Sequence, residues 1–238
     1  HPREGIDLEA LANSLAHLPI KACWLMSHLQ NPLGASMSEA KKRDLYALLE
    51  QHQLPLIEDD VYAELYFGSQ PPKPVKSFDR AGLVMHCGSF SKCLAPGYRV
   101  GWVAGGRYAE QIRRLKLMTT ISPSVPAQAA IAEYLQHGGY DRHLRSLRHA
   151  LESQQASMLA SAARHFPADT RVTRPAGGYF LWFEFAPQVD SLLLFKQALA
   201  EGISLAPGPI FSATRGFGHC ARLNYGHPWD AASEAAMA

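Results

Sequence analysis

The chain has 238 residues, of which 47% are hydrophobic and 18% charged, a globular balance that excludes disordered, collagenous and coiled-coil classes. With 23 Lys and Arg against 21 Asp and Glu, the formal net charge of +2 is too small to argue by itself for binding to nucleic acid or a membrane surface. Cys23, Cys87, Cys93 and Cys220 form no Cys-x-x-Cys pair, and neither a signal peptide nor a long apolar run is recognised, so a cytoplasmic location with no membrane partner is expected.

Leu8, Leu11, Leu15 and Leu18 recur at helical spacing and predict an amphipathic helix over 7–18. A strand is expected at 22–26, followed by Asn31-Pro32-Leu33-Gly34, which is loop chemistry. Ser38 caps a second helix, with Leu45, Leu48 and Leu49 facing inward, that ends at Leu54-Pro55. Short apolar strands at 56–57, 83–87 and 100–104 lead into Glu58-Asp59-Asp60, Gly88-Ser89-Phe90-Ser91-Lys92 and Gly105-Gly106. Strands alternating with helices argue for a mostly parallel α/β sheet whose ligands sit past the strand C-termini. Helices follow over 107–118, 126–137 and 141–165, the last with Leu144, Leu147, Leu151 and Met158 on one stripe. The aromatic run Tyr179 to Phe185, a helix over 191–200 and short strands near 203–205 and 220–225 read as a smaller α+β domain. The expected division is 1–140, a large domain without its N-terminal part, and 141–238, a truncated small domain. His1-Pro2-Arg3 and the uncapped alanine-rich end after Ala231 suggest a piece of a longer protein.

Lys92 ends an apolar strand behind Ser89 and Ser91, with Arg99 seven residues on. Hydroxyls and a guanidinium suit a phosphate, and a partly desolvated lysine beside positive charge can attack a carbonyl; the bland alternative is a solvated surface lysine. Asp59 can hold a proton on a pyridine nitrogen, or the three acids can be a helix cap or solvated turn. Tyr62 is either a ring-hydroxyl donor or a packed core tyrosine, and Asn31 either a second such donor or an Asx-turn before Pro32.

Taken together, Asn31-Pro-x-Gly34, Asp59-x-x-Tyr62, Ser89-x-Ser91-Lys92 and Arg99 resemble the aspartate-aminotransferase superfamily of fold type I pyridoxal-phosphate enzymes. That resemblance implies a pyridoxal 5'-phosphate cofactor, with Lys92 as its internal-aldimine lysine and catalytic base. It implies Asp59 on the pyridinium, Asn31 and Tyr62 on the ring O3′, and Ser89, Ser91 and Arg99 on the phosphate. Arg222, in Ala221-Arg222-Leu223-Asn224-Tyr225, matches the family's substrate-carboxylate arginine, and a homodimer is implied. No metal is expected. A narrower resemblance, carried by 57–64, 88–102 and 175–182, is to the aminotransferase-like C-terminal domains of MocR-type, GntR-family transcription regulators, although Val61 before Tyr62 keeps the aminotransferase form. It implies sensing of an amino acid or amine, with DNA bound only through a separate N-terminal domain. A free-standing amino-acid aminotransferase and a non-catalytic scaffold with a vestigial site are the alternatives.

Overall fold

A computed structural model describes residues 3–238. It separates into two compact units, one running to Gln30 and resuming over Ala35–Leu147, the other made of Asn31–Gly34 and Arg148–Ala238.

The first unit is built on four strands, β1 (Cys23–Leu25), β2 (Leu56–Asp59), β3 (Val84–Ser89) and β4 (Gly101–Ala104), in that spatial order. β1 to β3 are parallel and β4 is antiparallel to β3. The run of parallel strands expected from the sequence therefore stops at β3. A parallel crossover needs about a dozen residues or more, usually a helix. Between β3 and β4 the chain has eleven residues, 90–100, with one turn of 3₁₀ helix at Pro96–Tyr98 and no α-helix to cross the face of the sheet, and it reverses.

Helix α1 (Leu8–His17) starts where the Asp7 carboxylate accepts from Ala10 N–H, and α2 (Glu39–Gln51) where Ser38 Oγ accepts from Lys41 N–H. Leu45, Tyr46 and Leu49 of α2 pack with Leu54, Leu56, Val75 and Val84 into the core, and Leu8, Leu11 and Leu15 of α1 close over it. Helices α3 (Ala109–Thr120) and α4 (Val125–Gln136) follow, α3 burying none of its residues. The 27-residue α5 (Gly139–His165) contains the division between the units.

In the second unit β5 (Arg171–Val172), β6 (Phe180–Glu184), β7 (Ala206–Pro207) and β8 (Cys220–Asn224) make an antiparallel sheet in the order β5-β6-β8-β7. The strand expected at 203–205 lies instead at Ala206–Pro207, and β5 is an addition. Helix α6 (Ser191–Ala200) is capped by Asp190, and α7 (Ala231–Met237) by Asp230. Buried Tyr225 donates to Gly177 O at 2.9 Å and accepts from Gln155 Nε2 at 3.2 Å, and burial pushes its phenol above the ordinary value. Gly34, at φ +71°, sits so close to Pro175 that an added Cβ would come within 2.5 Å of its ring. Among the described residues no helix is long and apolar enough to cross a membrane.

Candidate functional site

β2 alternates in the manner of any strand, which sends Leu56 and Glu58 into the interior and Asp59 to the opposite face. Asp59 lies opposite Cys87 of β3. Its Oδ1 is buried and accepts no hydrogen bond, an arrangement that costs about 1–3 kcal/mol unless a ligand supplies a donor. Three residues on, Tyr62 is buried, and Lys92 Nζ stands 5.9 Å from the centre of its ring, within cation–π range.

β3 delivers Ser89 at its C-terminal end, and the loop beyond folds back on it. Ser91 N–H donates to Ser89 Oγ at 3.1 Å, and Arg99 Nη1 donates to Ser91 Oγ at 3.0 Å and to Pro96 O at 3.3 Å. Arg99 adopts φ +53°, a left-handed conformation that a non-glycine residue holds only at a cost, while Lys92 and Arg99 both remain exposed. Gly88 is required because Trp102 of β4 lies across it, 2.4 Å from where a Cβ would stand. The first unit thus groups Asp59, Tyr62, Ser89, Ser91, Lys92 and Arg99 around the C-terminal ends of β2 and β3, where ligands of parallel sheets bind.

The other two site residues of the sequence reading, Asn31 and Arg222, belong to the second unit. Arg222 Nη1 donates to Asn31 Oδ1 at 2.6 Å, and the guanidinium carbon lies 4.1 Å from the Phe180 ring centre and 5.1 Å from that of Phe211. Stacked and tethered in this way, the planar fork is held with little freedom to lose, which suits bidentate recognition of a carboxylate. The Asn31–Pro32 peptide bond is cis.

One constellation escaped the sequence reading. Glu58 and Asp60 are neither a helix cap nor a solvated turn; both are buried, with His28 and Lys42. His28 Nδ1 bonds Asp60 Oδ1 at 2.7 Å and His86 Nε2 bonds Asp60 Oδ2 at 2.9 Å. Burial pushes the Asp60 carboxyl up, but the bonds from His28 and His86 outweigh it and leave the carboxyl below its ordinary value. Asp60 is therefore an acceptor, both histidines donate to it, and His28 Nε2 is left to accept from the Lys42 ammonium. Lys42 also donates to Lys73 O at 2.9 Å. Burial lowers the Lys42 pKa against the opposing pull of Asp60 and Glu58. Glu58 accepts from Ser27 Oγ at 2.5 Å and from the N–H groups of Val75 and Lys76 at 2.7 and 3.0 Å. His28, Glu58 and Asp60 offer metal-ligand atoms within 4.8 Å of one another, yet both nitrogens of His28 are engaged, by Asp60 and Lys42, and the carboxylates are satisfied by protein donors. The available signal was Lys42 on α2, in the same stripe as Leu45, Tyr46 and Leu49, a lysine on a core-facing surface.

Residues 2–238 match the family model of aminotransferase class I and II. The chain is 46% identical over 99% of its length to an uncharacterised HTH-type transcriptional regulator, YdcR, of Escherichia coli strain K12, and covers 50% of that protein. It is 29% identical over 93% of its length to aromatic-amino-acid aminotransferase 1 of Thermococcus litoralis, covering 55% of it. Among solved structures, the α-aminoadipate aminotransferase LysN of Thermus thermophilus, complexed with N-(5'-phosphopyridoxyl)-L-leucine, superposes with a TM-score of 0.90 at 30% identity, over 99% of this chain and 60% of that one. The chain spans about half the length of the curated relatives it matches.

Proposed function

The chain belongs to the aminotransferase class I and II family, and from that premise we propose that it is the pyridoxal-phosphate-binding, amino-acid-sensing domain of an HTH-type regulator of the MocR kind. The observation that carries the cofactor reading is the buried, unbonded Oδ1 of Asp59 on the strand next to the one that delivers Ser89 and Lys92. The residues present fit the cofactor. Asp59 offers the acceptor a protonated ring nitrogen requires, Ser89, Ser91 and Arg99 cluster as an anion-binding loop, and Lys92 supplies a primary amine beside Tyr62. The names of the 46% and 39% identical relatives, both HTH-type transcriptional regulators, support the regulatory half.

Bound pyridoxal phosphate supplies an electron-poor ring that draws electrons from the α-carbon of an amino acid. Asp59, with its Oδ1 buried, would accept from the protonated ring nitrogen and hold the proton there. Arg99 and the two serines would hold the phosphate, the guanidinium offsetting its charge. Lys92 Nζ would hold the cofactor and, as a free amine, would be a base for the α-proton of a bound amino acid. Arg222, presented by Asn31 Oδ1 and two aromatic rings, pairs with the amino acid's carboxylate. An amino acid or amine is thus the expected small-molecule partner, a homodimer the expected assembly, and DNA a partner only of the longer protein.

The test is reconstitution of the full-length protein with pyridoxal phosphate. A visible absorption band and a borohydride-fixed adduct on Lys92, both lost in Lys92→Ala, are expected. An adduct mapped to Lys116 or another lysine refutes the assignment. A free-standing aminotransferase is the second reading, favoured by the likeness to the Thermococcus litoralis enzyme.

A further inference from the structure

Asp59 carries an unbonded Oδ1, and no side-chain bond to that atom fixes where it points. Its neighbour is held by both oxygens. Asp60 N–H donates to Cys87 O at 2.9 Å, extending the β2–β3 ladder past the end of β2, while the Asp60 carboxylate is gripped by His86 from β3 and by His28 from the segment that follows β1. His28 is fixed in turn by Lys42 of α2. The C-terminal end of β2 is thereby tied to both neighbouring strands and to a helix through one carboxylate, one residue away from Asp59 and on the opposite face.

We propose that the Lys42–His28–Asp60–His86 relay is the positioning assembly for Asp59, fixing the backbone that aims its carboxylate at the ring nitrogen of the cofactor; the inference rests on the cofactor reading given above. A carboxylate oxygen with no partner in the protein is kept pointed at a ligand by a rigid mount, and in this mount the roles run in sequence: ammonium to imidazole, imidazole to carboxylate, second imidazole to the same carboxylate. The relay also accounts for why polar side chains occupy positions 28, 42 and 60, where apolar ones would pack at lower desolvation cost. His86 marks its less buried end, its ring edge-on to Trp102 at 5.1 Å.

The experiment compares two probes on the full-length protein, pyridoxal phosphate and its 1-deaza analogue, which has carbon in place of the ring nitrogen. Their affinities are measured by equilibrium dialysis for the wild type, His86→Phe, His86→Gln and Asp60→Asn. The ratio isolates the contribution of the ring nitrogen, and a general loosening of the fold weakens both probes alike. The wild type should prefer pyridoxal phosphate. In His86→Phe, which keeps the ring contact with Trp102 and loses the donor, the preference should fall by roughly tenfold, the range of one hydrogen bond to a charged group. His86→Gln, whose Nε2 stands where the imidazole Nε2 stood, should restore the ratio to within about threefold of wild type. Asp60→Asn, which keeps the size and loses one acceptor, should lose preference as His86→Phe does and gives the answer independently should His86→Phe not fold. The 15N resonance of labelled ring nitrogen in the bound cofactor should move in the same two variants. Unchanged ratios in both His86→Phe and Asp60→Asn, or an equal loss of affinity for the two probes, overturn the positioning role while leaving the cofactor reading intact. A wild type that binds neither probe overturns the cofactor reading and this inference with it.

Discussion

Asp59 and Asp60 are consecutive carboxylates with opposite environments, and the two should respond to truncation in opposite ways. Asp60→Ala strips the acceptor from two imidazole N–H groups and leaves the Lys42 charge less compensated, so the cofactor-free protein should lose about 3 kcal/mol of stability. Asp59→Ala removes a buried oxygen that has no partner, so stability should change by less than ~1 kcal/mol or rise, while cofactor binding is lost. Urea denaturation of the two variants without cofactor, followed by cofactor titration, checks both halves; destabilisation by Asp59→Ala would show that its carboxylate is structural. Arg222→Lys keeps the charge and loses the planar fork, so amino-acid affinity should drop by tenfold or more, about 1.4 kcal/mol, with cofactor loading unchanged. An unaltered amino-acid titration would return Arg222 to the role of a strand residue. At this scale the sequence displayed the loop chemistry, exposed Lys92 and Arg99 with half-buried Ser89 and Ser91, because strand-end loops advertise themselves by composition. Lys42 left one trace, its place in the apolar stripe of α2, but His28 and His86 left none, since their part in a buried polar relay depends on separate elements meeting and no local spacing records that.

Elements whose signals are local were the legible ones. The helix read at 191–200 is α6 over Ser191–Ala200, its start written in the Asp190 cap, whose Oδ1 accepts from Leu192 and Leu193 N–H. The direction of β4 was not legible, since the spacing of its own residues does not distinguish parallel from antiparallel pairing, and two-residue β5 is too short for any periodicity. Helix α7 makes a testable case of its own. Glu234 Oε1 accepts from Arg164 Nη2 at 2.6 Å, from His165 at 3.0 Å and from Ser161 at 3.1 Å, and Oε2 accepts from Trp229 at 3.3 Å. The Arg164 guanidinium, followed by His165, pulls this carboxyl down to about 2. A carboxyl depressed in the folded state stabilises the fold above its unfolded value near 4.5 and loses that contribution as pH falls toward 2. Glu234→Gln should therefore be less stable than wild type at neutral pH, and the difference should close between pH 4.5 and 2 as followed by urea denaturation read by tryptophan fluorescence. A gap that persists at the acid end would place the anchoring of α7 in its apolar contacts, such as buried Met237, and not in the ion pair.

For the whole molecule, the family and the fold point to an aminotransferase while the identity pattern points to a regulator, and the two readings ask different things of the same residues. An enzyme must release product and turn over. A regulator needs only that the amino acid change the relative stability of two conformations by a differential binding energy, and a single half-turnover or none suffices. Charge separates them further. With a formal net charge of +2, this chain has little net charge with which to displace counterions from phosphates, so DNA affinity is expected of the longer regulator proposed above and not of this chain. The full-length protein should accordingly bind DNA in a manner that shifts with amino-acid concentration and transaminate slowly or once. The 238-residue chain alone should show no sequence-specific binding at about 0.15 M salt. Both measurements are made on one preparation, by coupled transamination assay and by fluorescence anisotropy of labelled promoter DNA with and without amino acid. Sustained multiple turnover with DNA binding absent or indifferent to amino acid would assign the protein to the enzymes. Loss of the amino-acid response in Lys92→Ala, with DNA affinity otherwise retained, would show that the signal passes through the cofactor site.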